Sequence, residues 1–345
     1  MRVEECTGRV EEASAWDAFV LGDPAGGYYL RYGWAQVIER SYRHRPVYLW
    51  VREGERVRGV LPLVLFRGPL GSRSLVSLPF LDEGGICAEP GEATRLLWEA
   101  AQEMASRNAA SLIELRQRDA SGLNLEPVGA KVTVMLGLAP SPDVMWKSLD
   151  AKVRNQVRKA TAGGLSAAWC GIEGLDDFYT VFAANMRDLG SPVHSRRFFA
   201  RILEEFSEST RLLLVRHGSR TVAGCVCAVF RDTVLVPWAS SFRAWRSHCP
   251  NNLLYWEVMR SACEKGLRWL DFGRSSVGSG TYRFKTQWGG VPRPLHWQSY
   301  SPSGQRASVV DAGDARYAWM VRAWRYLPVG VTTMLGPTIR RRVSN

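Results

Sequence analysis

The chain has 345 residues, 46% of them apolar, with 14 Trp and 11% aromatic residues. That is enough for one large or two ordinary domains, and it excludes a disulfide-stapled miniprotein, a coiled coil and a disordered chain. The net charge is +12, and 39 of the 45 basic residues are Arg and six Lys, which fits either GC-rich coding or a preference for acidic partners such as nucleic acid, phosphates or anionic membrane.

The start, MRVEECTGRVEEASAW, has no apolar stretch behind a basic end and does not read as a secretory signal. No run of 18 apolar residues suggests a membrane span. Seven Cys without a CxxC pair imply neither a zinc site nor a disulfide framework, and the expected compartment is the reducing cytoplasm.

Val47 to Val51 and Gly59 to Phe66 flank the turn residues EGERVR and predict a hairpin. SLVSLPFLDEGGI predicts a strand and a glycine-rich turn. Ala93 to Ala105 predicts a helix with Leu96, Leu97, Ala100, Ala101 and Met104 on one side. SLIELR predicts another strand. A boundary falls at Leu138 to Pro142, where Ser141 can cap a helix that starts at Pro142. That helix carries Trp146, Leu149, Val153, Val157 and Ala160 and stops at Gly163-Gly164. Two further helices are expected at Leu175 to Leu189 and Arg197 to Phe206. Three antiparallel strands follow, with turns at His217-Gly218 and Arg231-Asp232. Cys225 and Cys227, inside the second strand, read as small buried hydrophobes. The order closes with a helix over Asn252 to Lys265, a strand at Leu267 to Phe272, a glycine-rich loop and a final strand pair.

Several motifs fail on inspection. GRSSVGSG has Ser279 where a phosphate loop needs Lys. The DFG at Asp271 to Gly273 has no kinase companions. His194 reads as a loop residue. No metal-ligand spacing and no nucleic-acid-binding signature is evident.

The segment LLYWEVMRSACEKGLRWLDFGRSSVGSGTYRFKTQWGG, from Leu253 to Gly290, resembles the C-terminal core of the Fem-type aminoacyltransferases. The helix LDAKVRNQVRKATAGGL resembles that family's RxxxRKAxxxG element. PAGGYYLRYGWAQVIERSY and GVLPL match the front half more loosely. LGSPVHS and DFGRSSVGSGTYRFK also look like the Fem-related branch found beside exosortase (PEP-CTERM) and exopolysaccharide loci. The resemblance implies an α+β fold of tandem GNAT-like domains with mixed, largely antiparallel sheets. It divides the chain into residues 1–140, a catalytic domain at 141–300 and a basic aromatic tail at 301–345. It implies acyl transfer to an amine, in the family's best-known members from aminoacyl-tRNA to a peptidoglycan precursor. The family's long helical arm has no counterpart in this sequence.

For the donor, the expected co-substrate is aminoacyl-tRNA or acyl-CoA, with no tightly bound cofactor and no metal. An acetyl-CoA-dependent GNAT cradles pyrophosphate on a glycine-rich turn entering a helix. The equivalent link, SSFRAWRSHCPNNLLYW, contains no glycine, so its amides are less able to wrap a diphosphate. The acceptor is expected to be an envelope or exopolysaccharide precursor. The alternatives are an acyl-CoA enzyme of the same fold or a non-catalytic basic adaptor for the polysaccharide machinery.

Acyl transfer passes through a tetrahedral oxyanion, which one strong donor stabilises by roughly 3–4 kcal/mol. Lys285, in the FK pair of the family motif, is the candidate cation, against the alternative of a surface Lys on a strand. On that strand Phe284 points into the core and Tyr282 shares its face. Arg274 follows the DFG strand, and Asp271 either orients it or acts as a base, a buried ion pair being the plainer role. Arg154 and Arg158, four apart on one helix, suit a phosphate of the acceptor or simply the helix dipole. No arrangement for a covalent intermediate is present, so direct attack by the amine is expected.

The tail from Arg316 to Asn345 interleaves aromatics with Arg and suits peripheral contact with an anionic inner-membrane face. Residues 1–140 hold 16 basic and 18 acidic residues, 141–300 hold 22 and 13, and 301–345 hold 7 and 2. The excess therefore sits on the expected catalytic domain and the tail.

Overall fold

The computed structural model describes residues 1–119, 122–123, 125–129, 131–302 and 318–344. The chain divides into two compact units, Met1–Lys131 with Pro294–Asp314 and Thr338–Asn345, and Val132–Arg293 with Ala315–Pro337. Of the basic tail, residues 303–317 and 345 lie outside the described residues.

The first unit opens with β1 (Arg2–Glu5), α1 (Val10–Gly22), α2 (Gly33–Tyr42), β2 (Arg45–Glu53) and β3 (Arg56–Arg67). It continues with β4 (Arg73–Val76), β5 (Cys87–Ala88), α3 (Glu92–Arg107), β6 (Ile113–Gln117) and β7 (Glu126–Pro127). The expected hairpin is β2–β3, antiparallel from Arg45↔Leu65 to Glu53↔Arg56. Its strands are buried on both faces, which is why VYLWV and GVLPLVLF read as near-continuous apolar runs. Val47, Leu49 and Val51 pack with Leu97, Ala101 and Ala105 of α3. The alternate residue Tyr48 stacks on Trp16 of α1 at 5.0 Å.

The second unit begins with β8 (Lys131–Gly137), α4 (Pro142–Ser148), α5 (Ala151–Ala162), β9 (Leu165–Cys170), α6 (Leu175–Leu189) and α7 (Arg196–Glu205). A meander follows: β10 (Thr210–His217), β11 (Arg220–Phe230) and β12 (Thr233–Ser241). Then come α8 (Pro250–Glu264), β13 (Trp269–Ser276) and α9 (Gly280–Thr286). Its sheet runs β8-β13-β12-β11-β10-β9. All pairs from β9 to β12 are antiparallel, whereas β12 and β13 run parallel. Val153 and Val157 of α5 and Leu254 and Val258 of α8 share one core with Leu213, Val215, Cys225 and Cys227 of the sheet. Both cysteines are buried, as their place in β11 suggests. A separate aromatic cluster joins Phe178 and Phe182 of α6 and Phe198 and Phe199 of α7 to Trp238 of β12.

The last elements are β14 (Val291–Tyr300), α10 (Ala318–Tyr326) and α11 (Val329–Arg340). From His296 onward β14 pairs with β6 of the first unit, His296↔Gln117 to Tyr300↔Ile113.

Two expectations need correction. The single helix from Pro142 to Ala162 is two helices, because Leu149 and Asp150 take extended backbone (ψ 147° and 143°) and Asp150 caps the second through Lys152 N. The first strand of the final pair is the helix α9. Ser279 Oγ accepts from Tyr282 N at its start, and Phe284 and Trp288 fall four apart in the shared core. Cap and spacing outweigh the strand-favouring Thr, Tyr and Phe content.

Candidate active site

The parallel pair β12–β13 sets the geometry. Register runs only over Thr233↔Trp269, Val234↔Leu270 and Leu235↔Asp271, although β12 continues to Ser241 and β13 to Ser276. At the point of separation β12 bulges: Val226↔Trp238 follows Ala228↔Leu235, so Val236 and Pro237 both face Cys227. Pro237 has no N–H to give a neighbouring strand. Beyond the bulge Pro237, Trp238 and Ala239 are half-buried although they lie mid-sheet. Parallel strands that part at their carboxyl ends open a crevice, a common place for ligands in sheets of this kind.

From the end of β12 the chain leads on to α8. The connection passes through a 3-10 turn over Arg243–His248, then Cys249 at φ 57°, with Pro250 as the first helical residue. Asn252 Nδ2 donates to Gln156 Oε1 of α5 at 3.0 Å. The helix of Arg154 and Arg158 is thus tied to the first turn of α8. Arg154 donates from Nη1 to Lys147 O at 3.2 Å, while its buried Nε has no partner. Arg158 is exposed, lies over the Trp146 ring at 5.5 Å and donates to Asn155 Oδ1.

Asp271, Arg274 and Lys285 come together around one bend in β13. Gly273 sits there at φ 74°, a backbone that favours glycine. Asp271 Oδ1 accepts from Gly273 N at 2.8 Å and from Thr133 Oγ1. Lys285 is only 8% exposed, and its Nζ donates to Gly273 O at 2.7 Å and Arg274 O at 2.8 Å. The carboxylate and the ammonium therefore hold the bend from its N–H and its C=O sides. Lys285 is not a surface residue, and it lies on a helix. Tyr282 and Phe284 also lie on that helix, half-buried against the core, with Phe284 5.5 Å from the Tyr255 ring. Burial pushes the Tyr255 hydroxyl well above its ordinary value, so it stays protonated. His194 is buried and stacks on Phe198 at 4.6 Å.

Sequence reasoning missed two polar atoms here. Ser275 Oγ on β13, in a residue 5% exposed, and Asn251 Oδ1 in the first turn of α8 are buried without a hydrogen-bond partner. Orphaned buried groups are rare, and each can accept a ligand's bond. Nothing in the letters S and N marks them. The first unit also holds a cleft of about 700 Å³, lined among others by Tyr29, Glu83, Trp98, Gln117 and Arg118. Glu83 accepts twice from Arg118, at 2.7 and 3.0 Å. Gln117 Oε1 is buried without a partner. Gly85 at φ 90° lets the chain pass, since a Cβ there would come 2.4 Å from Gln117 Cγ.

A meander, a crossing helix and a parallel strand that separates from its neighbour form one known architecture. Residues 147–286 match the model of a GNAT acetyltransferase domain. The second unit is a GNAT-type acyltransferase domain. No curated relative matches the sequence. Among solved structures, the crystal structure of FemX is similar at 16% identity and TM-score 0.69, covering 87% of this chain and 97% of that one. A tandem GNAT protein from the clavulanic acid biosynthesis pathway aligns at 15% identity and TM-score 0.58, over 89% and 100%. The L-PGS of Bacillus licheniformis aligns at 11% identity and TM-score 0.56, over 99% of both chains. Identities this low speak for the fold, which is the tandem GNAT-like α+β architecture that the sequence suggests. Among the described residues of this acyltransferase no group of His, Cys, Asp and Glu could hold a metal ion. No described helix is long and apolar enough to cross a membrane.

Proposed function

We propose that this GNAT-type protein moves an aminoacyl group from aminoacyl-tRNA to an amine of a cell-envelope or exopolysaccharide precursor. The observation that carries this reading is the entry to α8. A donor diphosphate on a helix start needs closely spaced amides. Here the turn has no glycine, and Pro250 removes an N–H at the first helical position. The likeness to FemX over nearly its whole length supports the same reading. The acceptor amine attacks the ester carbonyl, the carbonyl oxygen becomes the oxyanion, the tRNA hydroxyl leaves and the amine gives up a proton. No covalent enzyme intermediate forms. Asp271 and Lys285 act by fixing the β13 bend, and Lys285 and Arg274 add positive charge where the oxyanion develops. Arg154 and Arg158 bind a phosphate of the acceptor, and Tyr282 and Phe284 pack under it. The tail from Arg316 rests on an anionic membrane face, with Trp319, Tyr326 and Met334 at least 70% exposed to meet it.

Transfer assays with radiolabelled aminoacyl-tRNA and with acetyl-CoA, each offered a nucleotide-linked peptide precursor, test the donor. Turnover with charged tRNA alone supports the proposal. Turnover with acetyl-CoA alone overturns it and favours the second reading, an acyl-CoA enzyme, for which the GNAT acetyltransferase model match speaks.

A further inference from the structure

Many arginines of the first unit are matched by carboxylates. Arg45 pairs with Glu5, Arg52 with Glu55, Arg58 with Glu89 and Arg116 with Glu114. One group breaks this pattern. Arg67, the last residue of β3, and Arg73, the first of β4, are directly opposite each other in the antiparallel register. Like charges in that position repel. The segment after α11 adds two more cations to the same place. Arg342 donates from Nη1 to Gly68 O at 3.2 Å, within the β3–β4 hairpin. Arg341 is held there by its carbonyl, which lies 2.9 Å from His44 Nε2. Arg67, Arg73, Arg341 and Arg342 line a cleft of about 260 Å³ with Gly71. Among the described residues no carboxylate lies within ion-pair distance of any of the four. Arg43 is a fifth cation close enough to act on Arg341.

A fold that gathers cations without a counter-charge lowers its own stability unless an anion completes the arrangement. Guanidinium forks match the oxygens of a phosphate, and four cations suit an anion that carries more than one charge or a surface crowded with anions. We propose that Arg67, Arg73, Arg341 and Arg342 form a binding site for a phosphate group, presented either by anionic lipid headgroups or by a free diphosphate. The site lies wholly in the first unit and does not depend on which acyl donor the second unit uses.

The test uses the full chain at low ionic strength. Inorganic pyrophosphate is titrated by calorimetry. In parallel, the protein is sedimented with phosphatidylglycerol vesicles and with phosphatidylcholine vesicles. The variant R341Q/R342Q removes two of the four charges, and R95Q/R107Q removes two exposed charges of α3 that are already paired with Glu99 and Glu103. Pyrophosphate binding weakened ~10-fold or more in the first variant only supports a free-diphosphate site. Binding to phosphatidylglycerol alone, with the same dependence, supports a headgroup site. No binding of either probe, or equal weakening in both variants, overturns the proposal. Should R341Q/R342Q fold poorly, R73Q on the exposed hairpin end replaces it. Its melting temperature without ligand should rise as the Arg67 repulsion is relieved, and added pyrophosphate should stabilise it less than the wild type. An R73Q protein that pyrophosphate stabilises as strongly as the wild type overturns the proposal equally.

Discussion

Lys285 shows how a residue can draw attention in the sequence while its surroundings stay hidden. One of six lysines in an arginine-rich chain, it stands out by composition, but the carbonyls it satisfies belong to Gly273 and Arg274, twelve and eleven residues away. Lys285→Met removes the ammonium that donates to the buried Gly273 carbonyl and the part-buried Arg274 carbonyl. We expect a loss of about 2–4 kcal/mol in urea unfolding, with Lys285→Arg recovering part of it. Gly273→Ala, which places a Cβ at φ 74°, should cost about 1–2 kcal/mol by the same measurement. His44 gives a pH signature. Burial, and after it the charges of Arg341, Arg342 and Arg67, lowers its pKa to about 4. The folded protein therefore holds this imidazole neutral while the unfolded chain protonates it near pH 6.5. Its contribution is fully present above pH 6.5 and is lost as pH falls through about 4, on the order of 3 kcal/mol at most. Melting temperature against pH should fall more steeply between those values for the wild type than for His44→Gln.

At the scale of elements, periodicity served well where one core face dominates. The meander β10–β12, helix α6 and helix α8 lie where apolar spacing and glycine stops put them. It failed where a local cap decides. Asp150 interrupts an apolar stripe that itself continues without a break from Trp146 to Ala160, and a stripe does not report a two-residue change of ψ. Asp150→Ala should cost about 1 kcal/mol in urea unfolding, the usual loss for a helix cap. The separation of β12 from β13 was not legible either. Pro237 in VLVPWASS hints at a bulge, yet which neighbouring strand loses its partner depends on an order that only the assembled sheet reveals. Pro237→Val restores an N–H at that point. It should reduce acyl transfer several-fold while leaving the melting temperature unchanged or raised, a split that distinguishes a shaped crevice from a generally weakened sheet.

Across the whole molecule the tandem architecture was legible because mixed α and β elements recur. The polar interior of the first unit was not. Glu114 and Arg116 in SLIELR look like the solvent-facing residues of a strand, yet both are buried. Arg116 donates to Glu114 at 2.7 Å, to Leu81 O at 2.9 Å and to Ser344 O at 3.0 Å, and lies 4.4 Å from the Trp297 ring centroid. The partners come from four separate stretches of sequence, so no local pattern announces them. Arg116→Met strands the Glu114 carboxylate in the interior and should cost about 3–5 kcal/mol, read as a fall in the midpoint of chemical unfolding.

That arginine and strand β14 also dictate an order of events on the ribosome. The first unit receives the partner strand of β6 from residues 296–300, and Ser344 reaches Arg116 later still. Everything between, residues 132–293, belongs to the second unit. Residues 1–131 must therefore wait, with the β6 edge uncovered, while residues 132–293 of the second unit are translated. A nascent chain stalled near Arg293 presents that edge to its surroundings, so such chains should be bound by chaperones or cut by proteases at the first unit.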